Sequence, residues 1–304
     1  MFLFPRWIDA ITRAFPRYRP CYLIARDEGD ISGMIPLVRT SWLGIEQYLS
    51  LPFGGHGGPI LTPDAGPETP AALALAFRDL GTRLRTMRFE MSVMNPSPSL
   101  REAMAPALGS FYREFRTHLV DLSGGFEDLW GNRYRRGTRK CVRTAERAEV
   151  TVAIEGGQEV LDILFRSHKE QSRIWKGIHA YPKEAMQVMV EAFDEEARVY
   201  VARRDGRPLA ACLFLYHRGR EVHPWVSGAV PEARPHRAFH LLLNAAIRDA
   251  CRDGYKVWNF GGSGGNRSIE FFKESFGAEP FPVLRCFHLA SWARRLRKRP
   301  AWDD

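Results

Sequence analysis

This chain carries a similar stretch twice. Laid without a gap over YLIARDEGDISGMIPL (residues 22–37), VYVARRDGRPLAACLF (residues 199–214) matches Ala25 with Ala202, Arg26 with Arg203 and Gly29 with Gly206. In each, a strand rich in β-branched and aromatic residues enters a polar turn containing Asp and Gly and leaves as a second apolar strand, the pattern of a hairpin. Each copy then supplies a helix and a further strand, AALALAFRDLGTRLRTMRFEMSV in the first and RAFHLLLNAAIRDACRDGYKVWNF in the second. An Arg-Asp pair sits late in both helices, Arg78 with Asp79 and Arg248 with Asp249. One shared hairpin is within the reach of chance, but the same order of elements over so long a stretch makes chance the weaker reading. The sequence therefore predicts an α/β (α+β) protein of two similar halves, each a mixed twisted sheet flanked by helices. The seam falls near HLVDLSGGFEDLW, where strand-like residues 117–122 meet a Gly-Gly break. This gives an N-terminal half over 1–122, a C-terminal half over 123–290 and a basic tail over 291–304. The segments SLPFGGHGGPILTPDAGPETP and VSGAVPEARPHR read as ordered surface loops.

Composition supports a folded core, since 45% of the 304 residues are apolar. No apolar run of transmembrane length is present, and Pro5 and Arg6 interrupt what would be a signal's apolar stretch. A soluble, cytoplasmic chain is the expectation. The five cysteines are odd in number and widely spread, which argues against a disulfide framework or a zinc site. No metal is expected. A formal charge of +9 favours polyanionic partners such as RNA, nucleotides or acidic lipid.

That charge is concentrated in FEDLWGNRYRRGTRKCVRTAERAEVTV, read as one helix. Trp130, Tyr134, Thr138, Cys141, Ala145 and Ala148 recur at helical spacing and form a face that can be buried. Arg135, Arg139, Arg143 and Arg147 form one cationic stripe, and Arg133, Arg136 and Lys140 a second. Between residues 130 and 147 there are seven cations and one acid. Like charges at i+4 repel by a few tenths of a kcal/mol per pair, a cost that a bound anion relieves. A solvated face with its charges met by acids elsewhere is the alternative.

The stretch NFGGSGGNRSIEFFKESFGAEP (residues 259–280) concentrates glycine between a strand and a helix. The dinucleotide fingerprint fails because Arg267 stands where the third glycine is needed. The P-loop fails too, since Lys273 comes too late and is followed by Glu274. What remains is a backbone that bends sharply or lets another molecule approach closely.

The order LWGNRYRRGTRKCVRTAE, YVARRDGRPLAACLF, VHPWVSG, HLLLNAAIRDACRDGYKVWNFG and FFKESFGAEP, with SLPFGGHGGPIL before it, resembles the FemAB-like branch of the GNAT acyltransferase superfamily. The resemblance covers nearly the whole chain. It implies two GNAT-like halves and an enzyme that forms an amide bond by moving an aminoacyl group from charged tRNA, or in related branches an acyl group from coenzyme A, onto an amine. It assigns the family's Phe-Lys pair to Phe272 and Lys273, with Lys273 stabilising the oxyanion or leaving group and Phe271 and Phe272 limiting water. It also places donor entry where two parallel strands splay, here EVHPWVSGAV and KVWNFGG, so that Trp225, Ser227, Asn259, Gly261, Gly262 and Ser263 become expected substrate-lining residues. Pro224 cannot donate a ladder hydrogen bond, which suits a bulge in the first strand. Relatives often carry Asp where Asn259 stands, so no carboxylate base is assigned there. His223, His236, His240 and His56 are alternatives, each more commonly structural.

Arg133, Arg136, Arg139, Lys140 and Arg143 are the expected donor- or anion-binding residues. The junction EARPHRAFHLLL, where GNAT enzymes hold the coenzyme A pyrophosphate on backbone amides, offers Arg234 and Arg237 but no glycine. That favours aminoacyl-tRNA over acyl-CoA as co-substrate, with no tightly bound cofactor and with a peptide or small-molecule amine as acceptor. An acyl-CoA N-acyltransferase and a non-catalytic GNAT-like RNA- or peptide-binding module remain the alternatives.

Overall fold

The computed structural model describes residues 5–53, 55–94, 96–174, 181–217 and 219–296. In chain order the first elements are α1 (Pro5–Ala14), β1 (Arg19–Asp27), β2 (Asp30–Trp42), β3 (Ile45–Leu49), β4 (Ile60–Leu61), α2 (Thr69–Gly81), β5 (Thr86–Met94), α3 (Pro98–Leu108) and β6 (Tyr112–Asp121). Then come α4 (Gly125–Asp128), α5 (Arg136–Arg147), β7 (Thr151–Glu155), α6 (Gln158–Ile174), α7 (Lys183–Phe193), β8 (Ala197–Arg204), β9 (Arg207–His217) and β10 (Glu221–Ala229). The chain closes with α8 (Ala238–Arg252), β11 (Val257–Gly262), α9 (Arg267–Glu274), β12 (Glu279–Leu289) and α10 (Ser291–Leu296). It divides into two compact units, Met1–Arg116 with Phe281–Asp303, and Thr117–Pro280.

In the first unit the strands run β1-β2-β3-β5-β12, with β4 paired to β2. Among the described residues of this unit, only the β3–β5 pairing is parallel. The helix α2 buries Leu73, Ala74, Phe77 and Leu80 against Ile35, Leu37, Phe89 and Met91 of the sheet. The sequence places residues 281–290 with the C-terminal half; instead β12 pairs with β5 from Val283 to Leu289 and belongs here. Long-range strand pairing of this kind leaves no local pattern to read. Within the stretch expected as a basic tail, α10 is a helix whose Ala293 packs with Leu289 and Ala290, and residues 297–304 lie outside the described residues.

The second unit orders its strands β6-β11-β10-β9-β8-β7. Hairpin β8–β9, antiparallel β9–β10 and parallel β10–β11 repeat the pattern of β1–β2, β2–β3 and β3–β5. The two hairpin turns even share backbone conformation, with positive φ at Glu28 and Gly29 and at Asp205 and Gly206, as a two-residue primed turn requires. The core gathers Trp258, Phe260, Phe214, Leu242, Ile247 and Phe276. Helix α6 lies so close to β10 that a Cβ on Gly228 would fall 2.1 Å from the backbone of Ser167.

The basic stretch is not one helix. It forms α4, a π turn over Leu129–Arg133, an extended break at Tyr134 and Arg135, and then α5. The break is held from the side, because Arg135 N and Thr138 Oγ1 both donate to the carbonyl of Ser275, at 3.0 and 2.9 Å. Tyr134, Thr138, Val142 and Ala145 are buried.

Candidate active site

The parallel pairing of β10 with β11 lasts two residues, Glu221 with Val257 and Val222 with Trp258, after which the strands part. Both strands are irregular at this point. The register of β10 against β9 shifts between Pro224 and Val226, and that of β11 against β6 shifts between Asn259 and Gly262. Proline removes a ladder donor from the first strand, and Gly261, at φ +71°, supplies a left-handed residue to the second.

Side chains take over where the ladder stops. Asn259 is fully buried; its Oδ1 accepts from Gly261 N (2.9 Å) and Thr117 Oγ1 (3.2 Å), and its Nδ2 donates to Glu221 Oε1 (2.8 Å). His223 Nδ1 donates to the Asn259 carbonyl oxygen (3.0 Å), joining β10 to β11 across the opening. Asn259, expected to line the substrate, has both atoms of its amide engaged in shaping the bulge.

The bulge turns two successive carbonyls toward one cation. Lys273 Nζ donates to Gly261 O at 2.8 Å and to Gly262 O at 2.7 Å, and the residue is only 6% exposed. It reaches that position because the tight turn at Gly264 and Gly265, both at positive φ, leads into α9, capped by Asn266 Oδ1 on the amides of Ser268 and Ile269. Burial pushes the Lys273 pKa down to about 7, and Glu270 acts in the opposite direction. The two carbonyl acceptors also favour the charged form. An ammonium so held has one N–H left over. Ser263 follows directly; its Oγ is buried without a hydrogen-bond partner among the described residues.

The surrounding aromatic side chains divide differently from expectation. Phe272, partly buried, packs on His240, Phe239 and Phe276 against the core. Phe271 is 59% exposed beneath the Arg135 guanidinium, 4.4 Å away, and does not shield Lys273. Trp225 is the bulged residue of β10 and stacks on Tyr181, while the carbonyl of Ser227 accepts from His168 Nδ1 at 3.0 Å. Among the alternative bases, His240 is pushed down to about 4 by burial and His56 likewise, so both are neutral near pH 7; His236 is bonded to Arg204. Glu221, Thr117 and the His118–Glu274–Arg135 chain were not marked by the sequence. Their neighbours are distant in sequence, and no local motif announces them.

The cationic stretch also splits into two kinds of residue. Arg133 donates to Asp121 O (2.8 Å) and Gly277 O (3.0 Å), and Arg139 donates to the carbonyls of Trp130 (2.7 Å) and Gly131 (2.6 Å). Arg133 thus ties the end of β6 to the turn after α9, and Arg139 bonds carbonyls inside the π turn, so both guanidiniums are engaged by backbone, while Arg139 also borders a depression beside α5. Arg136, Lys140, Arg143 and Arg147 remain exposed on one face of α5 and, with Trp130, Gly131, Arg139 and the acid Glu146, line this surface depression of ≈ 1020 Å³. Arg143 lies over the Trp130 ring at 5.8 Å.

Residues 132–274 match the GNAT acetyltransferase domain family. The solved structure of FemX superposes with a TM-score of 0.67 at 12% identity, covering 98% of this chain and 94% of that one. The chain has the FemAB-like GNAT fold. Other structures with this fold include L-PGS from Bacillus licheniformis (TM-score 0.56, 15% identity, 97% and 94% covered). A tandem GNAT protein from the clavulanic acid biosynthesis pathway also matches (0.58, 12%, 93% and 87%). No curated protein matches the sequence. At the point where a GNAT domain passes from its splayed strand into the next helix, this chain has Arg237 at φ +55° and no side-chain cap on α8. Arg237 thus holds a left-handed conformation that glycine adopts more readily.

Proposed function

We propose that this GNAT-fold protein is an amide-forming aminoacyltransferase that moves an aminoacyl group from aminoacyl-tRNA to an amine on a peptide or small molecule. The observation that carries the reading is the buried Lys273 ammonium, held on the carbonyls of Gly261 and Gly262 beside the opening between β10 and β11. Attack of a neutral amine on the ester carbonyl creates a tetrahedral oxyanion, and a preorganised cation in a water-poor site stabilises it. The amine nitrogen forms the new C–N bond and loses a proton, and the tRNA ribose oxygen leaves as the alcohol once protonated. Lys273 supplies charge to the oxyanion or the leaving oxygen, Ser263 Oγ offers a further polar contact, and Gly261, Gly262, Ser227 and Trp225 border the cleft.

The donor assignment rests on a different part of the molecule. Exposed Arg136, Lys140, Arg143 and Arg147 beside Trp130 suit a phosphate backbone with an accessible base. Incubation with labelled aminoacyl-tRNA and candidate amines tests the reading: transfer is expected only with the complete mixture, and Lys273→Met is expected to lose it while remaining folded. Undiminished turnover in that variant would remove the catalytic assignment.

Acyl-CoA is the second donor reading, favoured by the splayed parallel strands themselves. It predicts that acetyl-CoA or a longer acyl-CoA raises the melting temperature while tRNA does not. A protein that binds RNA with steep salt dependence but transfers nothing from either donor would be a binding module instead.

A further inference from the structure

Three separate segments of the first unit place large apolar side chains in water at one end of its sheet. The tip of hairpin β2–β3 carries Trp42 and Leu43, 68% and 82% exposed, and the loop between α2 and β5 carries Leu84, 93% exposed. The two tips are neighbours: Glu46 N donates to Arg85 O at 2.9 Å, and a Cβ on Gly44 would lie 3.7 Å from Arg85 Nη1. Arg83 and Leu84 also line a small depression of ≈ 320 Å³ together with Ser291, the first residue of α10, whose next residue, Trp292, is 37% exposed.

Local structure does not call for these residues. The two-residue turn at Leu43 and Gly44 has φ values of 49° and 74°, and such a turn favours Asn or Asp followed by Gly. A leucine forced into the left-handed region and then left in water is unfavourable on both counts. The charges around the tips point one way. Arg83 and Arg85 flank Leu84, residues 82–86 and 41–44 contain no acid, and no ion pair is formed by Arg83 or Arg85 among the described side chains.

We propose that this end of the first unit docks on an anionic lipid bilayer, with Trp42, Leu43 and Leu84 entering the headgroup region and Arg83 and Arg85 meeting lipid phosphates. Tryptophan and leucine partition into that layer, and arginines beside them add attraction to anionic lipid. Contact with a second copy fits less well, since a two-fold self-contact over these tips would bring the Arg83 and Arg85 of both copies into one patch to which residues 82–86 and 41–44 supply no acid. Among the described residues no helix is long and apolar enough to cross a membrane, so this is surface attachment. It is independent of the transferase reading.

Co-sedimentation with vesicles tests it, using phosphatidylglycerol mixed with phosphatidylcholine against phosphatidylcholine alone, in about 0.15 M salt, where charges are screened beyond about 8 Å. The wild-type chain is expected to sediment with the anionic vesicles only. Trp42→Ser/Leu43→Ser/Leu84→Ser is expected to weaken partitioning by about tenfold or more, since binding scales with inserted apolar area. Arg83→Glu/Arg85→Glu is expected to do the same, and Arg136→Glu/Lys140→Glu on α5 to have a smaller effect. All substituted side chains are exposed, so the melting temperature should hold, and transfer between soluble substrates should be unchanged in the apolar variant. Wild-type failure to bind vesicles, or equal binding by the apolar variant, overturns the proposal. So does an apolar variant that changes only the sedimentation coefficient of the free protein, which would mark a self-contact.

Discussion

His223 Nδ1 meets the main-chain oxygen of Asn259 at 3.0 Å, directly after the last ladder pair between β10 and β11. The imidazole thus substitutes for a missing backbone donor, and it fixes the carbonyl next to the bulge that presents Gly261 and Gly262 to Lys273. Replacing it with leucine leaves a buried acceptor unpaired, a loss of about 1–3 kcal/mol. His223→Leu should therefore lower the urea midpoint, and His223→Asn, which restores a donor, should recover part of it. Equal midpoints for wild type and His223→Leu would show that the bond contributes nothing.

Asn259 cannot be exchanged for a carboxylate without consequence here. Its Nδ2 faces Glu221 Oε1 at 2.8 Å, so Asn259→Asp sets two carboxyl groups together in a buried place. Repulsion and burial would raise the folded-state pKa of the pair above the unfolded values, so the folded state holds more protons and stability falls as pH rises through the interval between them. The variant should be most deficient at neutral pH and improve on acidification. Adding Glu221→Gln should restore most of the loss at pH 7, and a flat pH profile of the melting temperature in the single variant would contradict this account.

For Lys273, the expected change in transfer rate on substitution by methionine is a fall of about 10²–10³-fold, the size associated with removing one donor from an oxyanion site. Arginine should not rescue it, because a larger planar guanidinium does not fit the position between two carbonyls 2.7 and 2.8 Å away. With the pKa lowered by burial to about 7, the charged form is lost as pH rises through that value. The single-turnover rate, corrected for deprotonation of the acceptor amine, should decline on the alkaline side. A rate that keeps rising after that correction would make the neutral amine of Lys273 the working form.

Sequence legibility followed the range of the interactions. The paired hairpins were readable because Asp-Gly turns and alternating strands are local signals, and Glu28-Gly29 and Asp205-Gly206 adopt the conformation such turns require. Lys273 stood out through the motif around it. The role of Asn259 did not, since its partners Thr117 and Glu221 lie 142 and 38 positions away. Nor could the sequence show that β12 pairs with β5, or that Gly131 and Gly277 present carbonyls to Arg139 and Arg133. A count of charges does not reveal which ones the backbone has already claimed.

That division of the arginines leads to two opposite outcomes along one stretch. Arg136→Glu, Lys140→Glu and Arg143→Glu remove exposed cations from α5 and should leave the melting temperature near wild type, because like charges at i+4 already repel one another. They should raise the donor Kd and flatten its dependence on salt, each lost phosphate contact reducing the log–log slope by roughly one. Arg133→Ala and Arg139→Ala should do the reverse. Each removes hydrogen bonds to two carbonyl acceptors, at 2.8 and 3.0 Å for Arg133 and at 2.7 and 2.6 Å for Arg139, and should destabilise the fold by about 1 kcal/mol, with the salt slope intact for Arg133. Filter binding of charged tRNA across a salt series, paired with thermal melts of the same five variants, separates the two classes. If Arg133→Ala flattens the salt slope without lowering the melting temperature, its guanidinium binds the donor and the capping role assigned to it is wrong.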